Sequence, residues 1–154
     1  MIDTTQMPDG MKEKLFDLCG DNNAVNFMAD IWQVAQTWDD LIDHSKTNDD
    51  QINYCFESLL LRIPLNVFYR KNIDDLSAMI LQTILDWKTA NVMEKADDEQ
   101  LNRAYMLRAG IYRLFHYCIY LTKGYETASK SGQELWSIYG ETLKDFKREY
   151  KKNA

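Results

Sequence analysis

Residues 33–43 read QVAQTWDDLID, and the rest of the chain is organised around them. They form the second half of a predicted helix that begins near Asn22, because apolar residues return every three or four positions. The apolar residues of this helix are Val25, Met28, Ile31, Trp32, Ala35, Trp38 and Ile42. Three aspartates then follow within five residues: Asp39, Asp40 and Asp43. Carboxylates at a helix C-terminus oppose the helix dipole, so a divalent cation, an arginine or solvent should compensate them.

The same periodicity continues through most of the chain. Capping residues, glycines and prolines mark where each helix should begin or end. The predicted spans are 8–19, 22–44, 49–62, 72–95, 98–123 and a last helix from Ser131 onward. The third of these should end before Pro64 and bury one face. That predicted face is Ile52, Phe56, Leu59 and Leu60.

This pattern predicts an all-α, single-domain bundle of five or six helices, since no stretch alternates like a strand. The domain should span residues 1–154. Residues 1–7 are expected to form a loose N-terminal tail and residues 147–154 a basic C-terminal tail. The lysines and arginines of the last helix could instead form a docking surface for a partner.

Composition and charge narrow the functional classes. The chain is 45% hydrophobic and 27% charged, which is typical of a globular protein rather than a disordered one. Its net charge of −6 disfavours nucleic acid or an anionic membrane as the primary partner. Three well-separated cysteines, no secretory leader and no long apolar segment predict a cytoplasmic protein.

Polar residues interrupt two predicted inward faces. The apolar stripe of the fourth helix continues onto Asn91 and Glu94, and Arg108 interrupts the stripe of the fifth. Carboxylates from facing helices can hold Mg²⁺, and arginine can hold a phosphate. Asp39, Asp43 and Glu94 are therefore the candidate metal ligands. Asp40 and Asn91 are weaker candidates, and Arg108 is the candidate phosphate-binding residue.

A simpler interpretation explains the same residues. Asp39, Asp40 and Asp43 could form the solvated end of a helix, with Arg108 paired to Glu94 or to an aspartate. The many aromatic residues, which include four tryptophans and nine tyrosines, could likewise belong to the core. Alternatively, they could form a stacking pocket or an exposed partner surface. His44 is expected to cap a helix and His116 to pack in the core.

The run Asp39-Asp40-x-x-Asp43 resembles the aspartate-rich metal motif of class I terpenoid synthases. In that family a second helix carries further ligands at intervals of four residues. Asp86 and Glu94 match the first and last of these positions, whereas Ala90 departs from the middle one. The resemblance, which covers this motif only, implies that Asp39, Asp43, Asp86 and Glu94 bind magnesium and that Arg108 contacts a diphosphate.

The whole chain is also similar to small uncharacterised helical proteins of tailed bacteriophages. The similarity is carried by residues 38–43 and by 86–94, which read DWKTANVME. It implies an accessory protein that acts in the cytoplasm of a bacterial host. Two hypotheses follow. In the first, the protein is a helical interaction protein that binds a protein partner or a second copy of itself. In the second, it is a Mg²⁺-dependent enzyme or binder of a phosphate-containing small molecule.

Overall fold

The computed structural model describes residues 7–8 and 10–152, and within them every regular element is a helix. The helices are α1 (Met11–Cys19), α2 (Asn22–Ile42), α3 (Asp49–Glu57), α4 (Ile63–Leu65), α5 (Val67–Lys71), α6 (Ile73–Met93), α7 (Asp98–Arg108), α8 (Gly110–Lys123), α9 (Tyr125–Trp136) and α10 (Leu143–Lys152). A π-helical turn, Ser58–Arg62, joins α3 to α4. The predicted all-α class is confirmed.

Eight of these helices are nine residues or longer, which is more than the five or six predicted. The predicted fifth helix is divided at Ala109 into α7 and α8. A Cβ atom at Gly110, where α8 begins, would lie 3.3 Å from Nη2 of Arg113 and 3.6 Å from Oδ2 of Asp86. The predicted last helix was placed wrongly, because Ser131 lies inside α9 and a turn separates α9 from α10.

The π turn changes the register of the third predicted helix. Pro64 has no N–H and its ring would clash with the carbonyl four residues earlier. Ile63 instead donates to Ser58, five residues back, and the helix continues through Pro64 to Leu65. The buried residues of this segment are Gln51, Cys55, Ser58 and Ile63, of which the first three follow ordinary helical spacing and the last is displaced by the π turn. The predicted burial of Phe56, Leu59 and Leu60 is wrong, and all three are exposed.

The core has two parts. The larger one is built around fully buried Leu15, Phe27, Met28, Phe115 and Ile119, from α1, α2 and α8. The smaller one packs α10 onto α6 and α7. Its buried members are Ala90, Leu101, Ala104 and Phe146.

The two chain ends differ from simple tails where they are described. Met7 is buried in the larger core, while residues 1–6 lie outside the described part of the chain. Residues 147–152 belong to α10, and Lys147 Nζ lies 3.2 Å from Oδ2 of Asp98 in α7. In the described ranges, no helix combines the length and the apolar character that crossing a membrane requires.

Candidate functional site

Three helix C-termini meet around Arg108. Asp39 lies in the last turn of α2, Asn91 and Glu94 at the end of α6, and Arg108 is the last residue of α7. The start of α2 is fixed by Asp21, whose Oδ1 accepts the Ala24 N–H at 2.9 Å. The negative ends of three helix dipoles favour a cation here and disfavour the carboxylates.

Arg108 donates hydrogen bonds to Asp39, Asn91 and Glu94. We call these four residues the Arg108 cluster. Nη2 of Arg108 donates to both carboxylate oxygens of Asp39, at 2.9 and 3.0 Å. Nη1 donates to Asn91 Oδ1 at 2.9 Å and to Glu94 Oε1 at 2.5 Å. The sequence left open whether Arg108 faces Asp39 or Glu94, and in the structure it bridges both.

A tryptophan completes the environment of Asp39. The Trp87 indole N–H donates to Asp39 Oδ1 at 3.1 Å. The Trp87 ring packs against Trp38, with ring centroids 4.9 Å apart and planes at 48°. Asp39 therefore accepts three hydrogen bonds from two nitrogens, Nε1 of Trp87 and Nη2 of Arg108, so its position is fixed from two helices.

Burial shapes the charges of the Arg108 cluster. The side chains of Glu94 and Arg108 are only 8% and 15% exposed. Burial by itself would lower the pKa of Arg108, but the charges of Asp39 and Glu94 outweigh burial and raise this pKa above its ordinary value. Burial raises the pKa of Glu94, and the nearby Arg108 charge only partly offsets that. The charged form of Arg108 is thus stabilised by its two carboxylates, whereas for Glu94 the effect of burial outweighs the effect of Arg108.

The other candidate ligands lie apart from the Arg108 cluster or at its edge. Asp40 Oδ2 accepts the Gln51 amide of α3 at 2.8 Å. Asp86 pairs with Arg113 of α8 and accepts from Gln82 at 2.9 Å. Asp43 is exposed, and its pKa is raised by partial desolvation and by the charge of Asp39.

Within residues 7–8 and 10–152, no three His, Cys, Asp or Glu side chains are arranged around a common metal position. Both oxygens of Asp39 and one oxygen of Glu94 already accept N–H groups from Arg108. A magnesium ion would have to share these oxygens with the arginine. The metal and phosphate roles of these residues stay predictions.

A cavity of about 570 Å³ opens beside the Arg108 cluster, and we call it the aromatic cavity. Its lining comes from α1, α2, α6, α10 and the segments around Ala109 and Gly140. Aromatic lining residues include Trp32, Trp38, Trp87, Tyr112, Tyr139 and Tyr150. Asp39, Asp43 and Arg108 line it as well. The sequence indicated an aromatic pocket as one alternative but could not locate it, because its rings come from four helices and a turn.

A second arginine network was missed by the sequence reasoning. Asp30, buried in α2, accepts the Tyr54 hydroxyl at 2.8 Å and lies 3.4 Å from Nε of Arg62. Arg62 also donates to Tyr54 O and to Ser58 Oγ, both at 2.6 Å, and lies over the Tyr54 ring. The only available signal was an aspartate between apolar neighbours in the middle of α2. This network holds the π turn against α2.

Large apolar side chains are exposed on the π turn and on the helices next to it, and we call them the leucine surface. Each is at least 45% exposed. Its members are Phe56, Leu59, Leu60, Leu61, Leu65 and Val67. All six lie within residues 56–67, and monomeric proteins rarely expose a large contiguous apolar surface.

The two histidines lie away from these features. His44 follows α2 with a positive φ of 55°, where its N–H contacts Leu41 O at 3.4 Å. His116 Nε2 lies 2.6 Å from the carbonyl oxygen of Ala128 in α9. The ring contact fits the expected packing of His116, whereas the capping role of the His44 side chain stays a prediction.

Comparison with known proteins adds no relative. No protein-family model matches the chain, and neither the curated proteins nor the solved structures give a match. The two resemblances drawn from the sequence therefore stay predictions.

Proposed function

We propose that the protein is a small helical interaction protein that pairs with a second copy of itself through the leucine surface. The observation that carries this proposal is the outward position of three consecutive leucines, Leu59 to Leu61, on the π turn. Burying each such side chain contributes on the order of 1.5–3 kcal/mol when it is fully covered. Folding of a single chain leaves these side chains in water, and association of two copies would bury them.

The charges beside the leucine surface favour a second copy as the partner. The segment begins with exposed Asp49 and Asp50 and carries exposed Glu57, whereas it ends with exposed Arg70 and Lys71. In a two-fold dimer the same surface is used on both subunits. Antiparallel pairing would bring the acidic end of one segment to the basic end of the other, which favours that arrangement.

Sedimentation equilibrium of wild type, Leu60→Glu and Val92→Glu tests the proposal. Leu60 and Val92 are 71% and 73% exposed, so the two substitutions add the same charge at equally accessible positions. We expect a dimer at about 0.1 mM for wild type and Val92→Glu, and a monomer for Leu60→Glu. A monomeric wild type, or equal weakening by both substitutions, would reject the leucine surface as the dimer interface.

In this proposal the Arg108 cluster is structural, since each of its carboxylates is paired with the arginine. An origin in a tailed bacteriophage, with action in the cytoplasm of the host, is part of the proposal and is supported only by the resemblance described above. The dimer would then be the form that meets host or phage components.

The second candidate function is that of a Mg²⁺-dependent enzyme or binder of a phosphate-containing small molecule. It is favoured by one observation: Asp39, Asp43 and Arg108 line the same cavity. Thermal melting with and without millimolar Mg²⁺ or Mn²⁺ tests it, in wild type and in the double variant Asp39→Asn/Asp43→Asn. A metal ion present at 100 times its Kd raises the free energy of unfolding by about 2.7 kcal/mol.

The difference between melts with and without metal is the relevant quantity, because Asp39→Asn also weakens the pair with Arg108. A metal-induced increase in Tm that the double variant loses would support this candidate. An unchanged Tm in wild type would reject it.

A further inference from the structure

We propose that the aromatic cavity binds a small organic cation with a flat apolar body, such as an arylalkylammonium ion. This inference goes beyond the dimer proposed above and does not depend on it, because the leucine surface and the cavity share no lining residue. Three properties of the cavity carry it: its size, its rings and its balance of charge.

The size and the rings suit a small organic ligand. A volume of about 570 Å³ lies within the range of pockets that bind small molecules. Trp38 and Trp87 pack at 4.9 Å, and Tyr112 and Tyr139 pack at 5.1 Å between ring centroids. The faces of indole and phenol rings attract cations, and the same rings offer apolar contact to a flat body.

Arg108 has little left to offer an anionic ligand. Nη1 donates to Asn91 and Glu94, and Nη2 donates to both oxygens of Asp39. The charge of Arg108 is therefore balanced by the carboxylates of Asp39 and Glu94. Asp39 belongs to the lining of the cavity, whereas Glu94 does not. In the described part of the chain these contacts occupy Nη1 and Nη2 and leave the Nε–H of Arg108, so a phosphate could reach Arg108 only at Nε and close to the Asp39 carboxylate.

The remaining charged residues of the lining are mainly acidic. Asp43, Glu141 and Glu149 are carboxylates, and Lys14 is the one further cation of the described lining. Glu141 is held in place by the Tyr139 hydroxyl, which donates to its Oε2 at 2.9 Å. The electrostatic potential of the cavity thus favours a positively charged ligand over a negative one.

Three probes that share a benzyl group test the role of ligand charge: benzyltrimethylammonium, benzyl alcohol and benzyl phosphate. Binding to the full chain is measured by quenching of tryptophan fluorescence and by titration calorimetry at low salt. We expect the cation to bind at least about tenfold more tightly than the phosphate ester, with the alcohol between them.

Two variants and one matched control locate the site. Asp43→Asn removes an exposed lining carboxylate, and Trp38→Leu removes a lining ring that is 38% exposed, so neither change disturbs the core. Each should weaken benzyltrimethylammonium binding by about threefold to fivefold. Asp50→Asn makes the same chemical change in α3, outside the lining, and should leave the affinity unchanged.

The contrary results are equally distinct. Tighter binding of benzyl phosphate would overturn the inference and favour the phosphate-binding candidate. Equal affinity for all three probes would overturn the role of charge. No binding of benzyltrimethylammonium at millimolar concentration would overturn the cavity as a site for an organic cation. A Tm measured for every variant separates loss of binding from loss of folding.

Discussion

Arg108 and Arg62 both tie helices together, but they do so with different partners. Arg108 contacts two carboxylates and an amide from the ends of α2 and α6, beside the aromatic cavity. Arg62 contacts the buried carboxylate of Asp30 and the exposed carboxylate of Glu57, together with a backbone carbonyl, a hydroxyl and an aromatic ring, beneath the leucine surface. The first arginine neutralises charges that would otherwise repel, whereas the second fixes an irregular helix in place.

The two arginines therefore support different regions: Arg108 the wall of the aromatic cavity, and Arg62 the π turn beneath the leucine surface. Without Arg108, Asp39 and Glu94 would be partly buried with no opposing charge. Without Arg62, Asp30 would keep its bond from Tyr54, and the π turn would lose its link to α2. Damage to the first network should therefore cost more stability, and damage to the second should be more local.

The largest expected effect comes from Arg108→Met, which leaves two partly buried carboxylates unpaired. We expect the free energy of unfolding to fall by about 3 kcal/mol, and Tm to fall by roughly 6–12 °C. Denaturant unfolding at pH 7 measures it. The control is Arg103→Met, which removes an exposed pair with Glu99 and should cost less than about 0.5 kcal/mol. Equal losses for the two variants would contradict the structural role of Arg108.

A smaller effect is expected for Arg62→Met. The variant loses the ion pair with Asp30, an exposed contact with Glu57 and two hydrogen bonds from Nη2. Because Asp30 keeps the Tyr54 hydroxyl, we expect a loss of about 2 kcal/mol. Arg70→Met, at an exposed position of α5, is the control. Hydrogen exchange should show faster exchange around Ser58–Arg62 than around α7. Uniform acceleration across the chain would mean that the two networks are not separate.

The smallest effect is expected for Asp43→Asn at the end of α2. The raised pKa of Asp43 means that the folded state binds its proton more tightly than the unfolded state. The ionised form therefore disfavours folding as the pH rises above about 4. The variant should gain up to about 0.3–1 kcal/mol at pH 7 and nothing at pH 3, where Asp43 is protonated in both states. Melting curves at the two pH values measure this difference, and a lower Tm at pH 7 would refute it.

Periodicity could predict the Arg108 cluster because α2, α6 and α7 are regular. A period of 3.6 residues carries the inward face of α6 onto Asn91 and Glu94, and that of α7 onto Arg108. The side chains of Glu94 and Arg108 are buried accordingly. The cavity could not be predicted, since it depends on how several helices pack.

The same periodicity gave wrong burial in two regions, the segment from α3 to the π turn and the end of α2. The buried face of α3 begins one position before the predicted one, at Gln51 and Cys55, so Phe56 is exposed before the π turn begins. Gln51 can be buried because its side chain donates to Asp40 of α2. The π turn then carries the buried face from Ser58 to Ile63. At the end of α2, Trp38 and Ile42 are 38% and 52% exposed, and Trp38 packs against Trp87 at the edge of the aromatic cavity. Asp30, in contrast, is buried and paired with Arg62. These contacts join residues that are distant in sequence, so a local pattern cannot reveal them.

Hydrogen–deuterium exchange at two protein concentrations is the most direct test of the central claim, that the leucine surface joins two copies. We predict that amides of residues 53–67 become more protected as the concentration rises from about 1 µM to 0.1 mM. Amides of α7, which lies outside that surface, should not change. Protection that is independent of concentration across 53–67, or that increases only elsewhere in the chain, would contradict the claim.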